Sequence, residues 1–301
     1  MAMWSAPGKV FLFGEHAVVY GKPGLAMAIK PRVFVTVRKA RHPPKVKSPY
    51  IEHCFRELGV NGSVYIHSQL PSSSGLGSSA AVVVSTLAAI NEEFDLNHDR
   101  AEIADIAFGI EKKVQEGRAS PTDTYVSSFG GIVLIKGGSK RRLPPQTMHL
   151  VIGNSLVSHS TSKMVEQVSA FRKKDPLIVD PILDSIEATC TRALHCLSDP
   201  KILGRYMDIN HALLDALGVG HPSLSRLVLA SRAAGAYGAK ITGAGGGGCM
   251  IALCPKRHKS RIAGAIEACD ARAIITSIDT EGVRRENERK GPRQTGRQHH
   301  H

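Results

Sequence analysis

The stretch Pro71-Ser-Ser-Ser-Gly75-Leu-Gly77-Ser-Ser-Ala80 sets the strongest limit on what this chain can become. Val64 to Leu70 ahead of it reads as a strand, and an apolar helix runs behind it from Ala80 to about Phe94. Glycines between a strand and a helix let the first-turn amides point into one concavity, where the positive end of the helix dipole favours an anion. Ser78 and Ser79 add hydroxyls suited to an oxygen ligand or a hard cation such as Mg2+. A capped turn without a ligand is the plain alternative. Two familiar phosphate loops do not fit. Gly-x-x-x-x-Gly-Lys-[Ser/Thr] is absent. Gly75 to Ala80 does satisfy the permissive dinucleotide pattern, but no repeated βαβ surrounds it. The acids that follow (Glu92, Glu93, Asp95) also come too early for a ribose-binding carboxylate.

Two more segments are glycine-rich. Ser5 to His16 contains Lys9, Gly14, Glu15 and His16, and Lys240 to Gly248 holds five glycines in six residues (Gly243 and Gly245 to Gly248). Such a run is entropically unfavourable, which points to close approach of the backbone to a ligand or to another loop. A further candidate is Ala119-Ser-Pro-Thr-Asp123-Thr-Tyr125, read as a loop after the helix that carries Glu111. A carboxylate on a rigid Pro-containing loop could serve as a base, and Glu111 could hold a metal. Taken singly, Asp123 fits a turn and Glu111 a solvated helix face.

Strands and helices alternate along the whole chain. Trp4 to Leu12 and Phe34 to Val37 read as strands, followed by a basic loop with three prolines from His42 to Pro49. Asp99 and Glu102 form a capping-box start for a helix with an apolar stripe at Ile103, Ile106, Ala107, Ile110 and Val114. Gly131 to Ile135 is a strand, and Lys136 to Arg142 a second basic loop. From about Met148 the chain becomes helix-rich (183–197, 201–217, 224–234). It closes with strand-like runs at 249–253 and 273–278 around a helix at 258–268. At 301 residues and 42% hydrophobic content the chain can bury a substantial core. The pattern predicts an α+β fold of two closely packed α/β subdomains, 1–148 and 149–280, with a basic disordered tail at 281–301 whose terminal histidines fit a purification tag.

The net charge of +13 raises the question of nucleic acid or an anionic surface as partner. Its placement argues otherwise: Arg38 to Lys47, Lys136 to Arg142 and Arg284 to Arg297 carry the whole excess, outside every glycine-rich segment. Aromatic residues are only 5%, so the stacking surfaces of a nucleic-acid binder are missing. The six cysteines are scattered, with no Cys-x-x-Cys, and read as reduced thiols of a cytoplasmic protein. No run approaches a membrane span.

Taken together and in order, from Ser5 to about Ile278, these motifs resemble the GHMP kinase superfamily. Within it, Gly14-Glu-His-Ala-Val-Val-Tyr-Gly21, Ser120-Pro-Thr-Asp-Thr-Tyr125 and Lys240-Ile-Thr-Gly-Ala-Gly-Gly-Gly-Gly-Cys249 are similar to the archaeal-type mevalonate kinases. The resemblance implies the GHMP kinase fold, with its active site in the cleft between subdomains. It also implies ATP-dependent phosphorylation of the C5 hydroxyl of (R)-mevalonate with Mg2+, in a homodimer with neither nucleic acid nor membrane as partner. Phosphomevalonate kinase is the nearest alternative. Carried over by position, Pro71, Ser72, Ser73, Ser74, Gly75, Leu76, Gly77, Ser78, Ser79, Ala80 and Ala81 wrap the ATP phosphates. Ser79 and Glu111 hold Mg2+, and Asp123 is the base beside Lys9. Lys9, Glu15, His16, Asp123, Thr242 and Gly243 face the substrate. The spacing from Glu111 to Asp123 is one residue longer than in the archaeal pattern, which keeps Glu116 open as the metal ligand.

Overall fold

A long antiparallel hairpin organises the first half: β1 (Ala2–Phe13) and β2 (Gly24–Lys39). The computed structural model describes residues 1–71, 74–117, 119–158 and 160–287. Within the hairpin the register jumps between Pro7 and Gly8, which pair with Arg32 and Ile29, so Lys30 and Pro31 bulge out. Proline has no amide to donate to a ladder, and a bulge is where a strand tolerates it. The bend lets β2 serve different partners along its length: β4 (Ile132–Lys136) beside its first residues and β3 (Gly62–Ser68) beside its last. With β5 (Ser139–Arg142) and β10 (Arg284–Arg285), the sheet order is β10-β1-β2-β4-β5, with β3 on β2.

On this sheet lies α2 (Ser78–Glu93), with α1 (Pro49–Glu57), α3 (Arg100–Val114) and α4 (Pro121–Phe129) around it. From Ala80 to Ile90 every residue of α2 except half-buried Val82 is buried, as an apolar helix at the centre of a layer should be. The second half is a four-stranded sheet in the order β7-β8-β6-β9, formed by β6 (His149–Asn154), β7 (Gly238–Thr242), β8 (Cys249–Leu253) and β9 (Arg272–Ser277). On it lie α7 (Pro200–Ala216), α8 (Pro222–Ala233) and α9 (Lys259–Glu267), with α6 (Pro176–His195) packed on α7 and α5 (Thr161–Lys174) on α6. Three of these open on proline, whose fixed φ and missing N–H suit a first helical position. The two sheets meet at Thr242 against Phe11 and at an Ile29–Ile278 bridge, and one apolar cluster runs through both. The fold is α+β, and no helix among the described residues is long and apolar enough to cross a membrane.

Three segments differ from the sequence expectations, and one adds to them. The expected loop around Asp123 is the helix α4, with Ser120 as its N-cap and Pro121 opening it. The proline-rich basic stretch is a loop through Ser48, as expected, and its last proline opens α1, in a segment left unassigned from sequence. The second basic stretch is a β4–β5 hairpin turning on Gly137 and Gly138, both at positive φ; its Lys140 Nζ lies 5.3 Å over the Tyr125 ring of α4. The expected disordered tail starts too early. Arg284 and Arg285 pair with Ser5 and Trp4, and Glu286 N donates to the Met3 carbonyl at 2.8 Å. Residues 288–301, with the terminal histidines, lie outside the described residues.

Arg32 explains why residues 279–287 stay folded. It is 3% exposed and pairs with Asp279, while its Nε donates to Ser5 Oγ at 2.7 Å and its Nη2 to the carbonyls of Ser5 (3.0 Å) and Gly282 (2.5 Å). Breaking one side of such a pair leaves Asp279 charged and buried. Arg32→Met is therefore expected to cost about 3–5 kcal/mol in denaturant unfolding. A cost within 1 kcal/mol of zero would show that Arg32 is not the anchor.

Candidate active site

Leu76 holds the glycine loop in place. Its side chain is fully buried and its carbonyl accepts from Lys9 N at 2.8 Å, which ties the loop to β1. Ser74 Oγ donates to the Pro71 carbonyl at 2.9 Å and closes the turn. Ser72 and Ser73 lie outside the described residues. Gly77 is the N-cap of α2 at φ +72, and no side chain caps the helix's first turn. A Cβ on Gly77 would sit 2.8 Å from Lys9 Cγ. Gly77→Ala is thus expected to lower stability by about 1–2 kcal/mol through its left-handed backbone alone, and to push the Lys9 stem aside. Thermal melts together with the KM for ATP check both effects. Ser78 and Ser79 are half-buried at the helix start, while Ala80 and Ala81 point into the core.

Lys9, in the interior of β1, brings its Nζ to 3.2 Å from Asp123 Oδ2 and 4.8 Å from the Phe11 ring centroid. Asp123 occupies the first turn of α4, where a negative charge suits the helix dipole. Its Oδ1 is buried and has no hydrogen-bond partner. Glu111, on α3 and 2% exposed, accepts from the Ser79 hydroxyl and from Gln115 Nε2 at 3.3 Å. Burial first, and then the Asp123 charge, push its carboxyl up to about 7, against the pull of Ser79 and Lys9. Of the two candidate metal ligands, Glu111 is the one beside Ser79; Glu116 is exposed in the turn after α3. Tyr50 of α1 lies within hydrogen-bonding reach of Ser79 and Gln115, a neighbour the sequence did not suggest because α1 itself was unexpected.

Glu15 and His16 follow β1 through a turn at Gly14, where a Cβ would come within 2.5 Å of Gly24. Both are buried. Lys240 of β7 donates to Glu15 Oε1 and to the Ile241 carbonyl, while Glu15 Oε2 is buried without a partner. His16 takes φ +62 and sets Nε2 2.9 Å from the Ala244 carbonyl. A carbonyl only accepts, so Nε2 carries the proton and Nδ1 is an acceptor. Burial lowers the His16 pKa, which keeps the ring neutral. Thr242 Oγ1 accepts from Phe11 N at 2.8 Å and donates to the Phe11 carbonyl at 3.1 Å, so this hydroxyl joins the two sheets. A Cβ on Gly243 would lie 3.9 Å from the Gly75 carbonyl, which sets the third glycine segment against the first. Gly245 and Gly247 press on the carbonyls of Val219 and Val157, and Gly246 on Met164. Of the two readings of this run, these three glycines satisfy close approach to other parts of the chain.

Lys9 thus stands between two groups of side chains: Ser79, Glu111 and Asp123 near the start of α2, and Glu15, His16 and Lys240 where the sheets meet. Residues 45–131 match the model of the GHMP kinases N terminal domain, and residues 187–271 that of the GHMP kinases C terminal. The chain is 39% identical to the mevalonate kinase of Thermococcus sibiricus, over 94% of this chain and 98% of that protein. It is 37% identical to that of Pyrococcus abyssi, over 96% and 99%. Among solved structures it resembles L. major mevalonate kinase in complex with R-mevalonate (TM-score 0.84, 24% identity, 92% of this chain and 95% of that one). Methanococcus jannaschii mevalonate kinase is also similar (TM-score 0.81, 26% identity, 93% and 99%). With both halves of the family matched and relatives at 39% identity along nearly all of its length, the chain belongs to the GHMP kinases.

Proposed function

We infer that this protein transfers the γ-phosphoryl group of ATP to the C5 hydroxyl of (R)-mevalonate. The observation that carries the reading is Asp123, with one oxygen on Lys9 and the other buried and unpartnered at the uncapped start of α2. Phosphoryl transfer passes through a loose transition state, so a protein accelerates it by positioning the reactants and neutralising charge. The backbone from Gly75 to Ala81, with the dipole of α2, supports the ATP phosphates. Lys9 neutralises charge on the moving phosphoryl oxygens and holds Asp123 through its Oδ2 at 3.2 Å. Asp123 Oδ1 accepts the proton of the attacking hydroxyl. Glu15 and His16 hold the rest of the acceptor, and Gly243 keeps the third glycine segment close to the phosphate loop.

The fold family implies Mg2+, and the residues fit it. A hydroxyl and a carboxylate are hard oxygen donors, and a carboxyl raised to about 7 by burial and a neighbouring charge is one that a cation would hold ionised. Ser79 and Glu111 would hold the ion. Once bound, it supplies positive charge to the phosphate oxygens. The homodimer is proposed from the family resemblance, and the cytoplasmic placement from the six scattered cysteines.

A coupled ADP-release assay on mevalonate, phosphomevalonate and homoserine, with the product's phosphate located by NMR, tests the reading. Turnover of mevalonate to the 5-phosphate is expected. Preference for phosphomevalonate would reject it in favour of that kinase. Absence of any turnover, with RNA or DNA affinity falling steeply with salt, would reject it in favour of a nucleic-acid binder.

A further inference from the structure

Lys240 is 0% exposed, in a strand whose five positions are all buried. A cation there loses its hydration, and an apolar side chain would fill the space without that penalty. Its ammonium meets two acceptors, Glu15 Oε1 and the Ile241 carbonyl at 2.5 Å. Burial raises the Glu15 pKa and lowers that of Lys240, and each charge is held by the other. Yet the pair is incomplete on one side. Glu15 Oε2 is buried with no hydrogen-bond partner, a costly state for a carboxylate oxygen unless a ligand donates to it. Beside it, neutral His16 keeps Nε2 on the Ala244 carbonyl and leaves Nδ1 as a second acceptor. A buried, unpartnered carboxylate oxygen selects a group that carries a donor hydrogen. It suits a hydroxyl and disfavours a carboxylate.

We propose that Lys240 is a positioning residue: it grips Glu15 Oε1 so that Oε2 remains desolvated and open to a hydroxyl of the substrate. The inference rests on the mevalonate kinase reading above. The side of the acceptor that meets Glu15 and His16 is then a hydroxyl, and its carboxylate binds elsewhere. Lys240 touches neither substrate nor nucleotide in this account and acts through Glu15 alone.

Four proteins test it: wild type, Glu15→Gln, Lys240→Met and the double variant. Each is assayed for KM on mevalonate and on ATP, with a thermal melt alongside. Each single variant is expected to raise the mevalonate KM about tenfold or more, the loss of one buried hydrogen bond, with the ATP KM within about twofold of wild type. The double variant is expected to match Glu15→Gln within about twofold, because Lys240 has no route to the substrate once Glu15 is neutral. An unchanged mevalonate KM in folded Lys240→Met overturns the proposal, as does one in Glu15→Gln. A double variant whose loss is the product of the two single losses overturns it too. Should Lys240→Met not fold, Glu15→Gln, in which an amide oxygen and the Ile241 carbonyl can still accept from Lys240, and the double variant, which buries neither charge, decide the matter: equal KM supports the proposal and a further rise overturns it. A wild type inert toward mevalonate rejects the functional reading and the proposal with it. A wild type active on mevalonate, with Lys240→Met unaffected, rejects the proposal alone.

Discussion

Asp123→Asn is expected to lower kcat by about 10²–10⁴-fold, the usual contribution of a positioned acid or base, while the KM for ATP stays near wild type. The substitution keeps the shape of the side chain and removes only its charge and one acceptor. Ser120 still caps α4 and Pro121 still opens it, so the helix that presents residue 123 persists. Oδ1 is the buried, unpartnered oxygen, and in the amide that position either loses its negative charge or becomes an N–H donor, which cannot take the hydroxyl proton. The Lys9 contact at 3.2 Å weakens from an ion pair to a bond from the ammonium to an uncharged amide oxygen. Glu111 responds in the opposite sense: Asp123 is one cause of its raised pKa, so its carboxyl should fall from about 7 toward the ordinary carboxylate range. Steady-state kinetics on mevalonate measure the main effect. Turnover within a factor of ten of wild type would remove Asp123 from the role of base.

Much of this site was legible in the sequence because its parts are local. The capping box of α3 needs only Asp99 and Glu102, three residues apart, and both bonds are present. The glycine loop needs a strand, two glycines and an apolar helix in succession, and the structure has that order. What escaped depends on partners distant along the chain or on elements too short to show a period. α4 has nine residues, and its first is a proline, which read as a loop signal where it opens a helix. Lys240 entered the sequence reading only as the first residue of the third glycine segment, with no role of its own. The clue was its place between Ala239 and Ile241, whose strand is wholly buried, but its reason lies 225 residues away at Glu15. The folded C-terminal strand was equally hidden: a basic, polar segment stays down because Arg32, 247 residues before Asp279, receives it.

Lys9→Met carries the second large effect and separates charge from shape. The backbone bond from residue 9 to the Leu76 carbonyl does not involve the side chain, so the glycine loop should stay tied to β1. Methionine keeps an unbranched stem to fill the space against Gly77 and Phe11. Only the cation is lost. Removing one preorganised charge from the transferring phosphoryl group should lower kcat about 10²–10³-fold, with ATP binding retained by the backbone amides. The same change leaves the Asp123 and Glu111 carboxylates without the cation that eased their repulsion, so the Glu111 pKa should rise above about 7. The sign of the linkage follows. A carboxyl whose folded pKa exceeds its unfolded value binds more protons when folded, so stability falls as pH rises between the two values. In metal-free wild type that decline should level off near pH 7; in Lys9→Met it should continue to higher pH. Melts between pH 5 and 9 in chelator, alongside steady-state kinetics, read both effects. Parallel melting curves would show that Lys9 does not act on Glu111, and a kcat within tenfold of wild type would show that its charge is not needed for transfer.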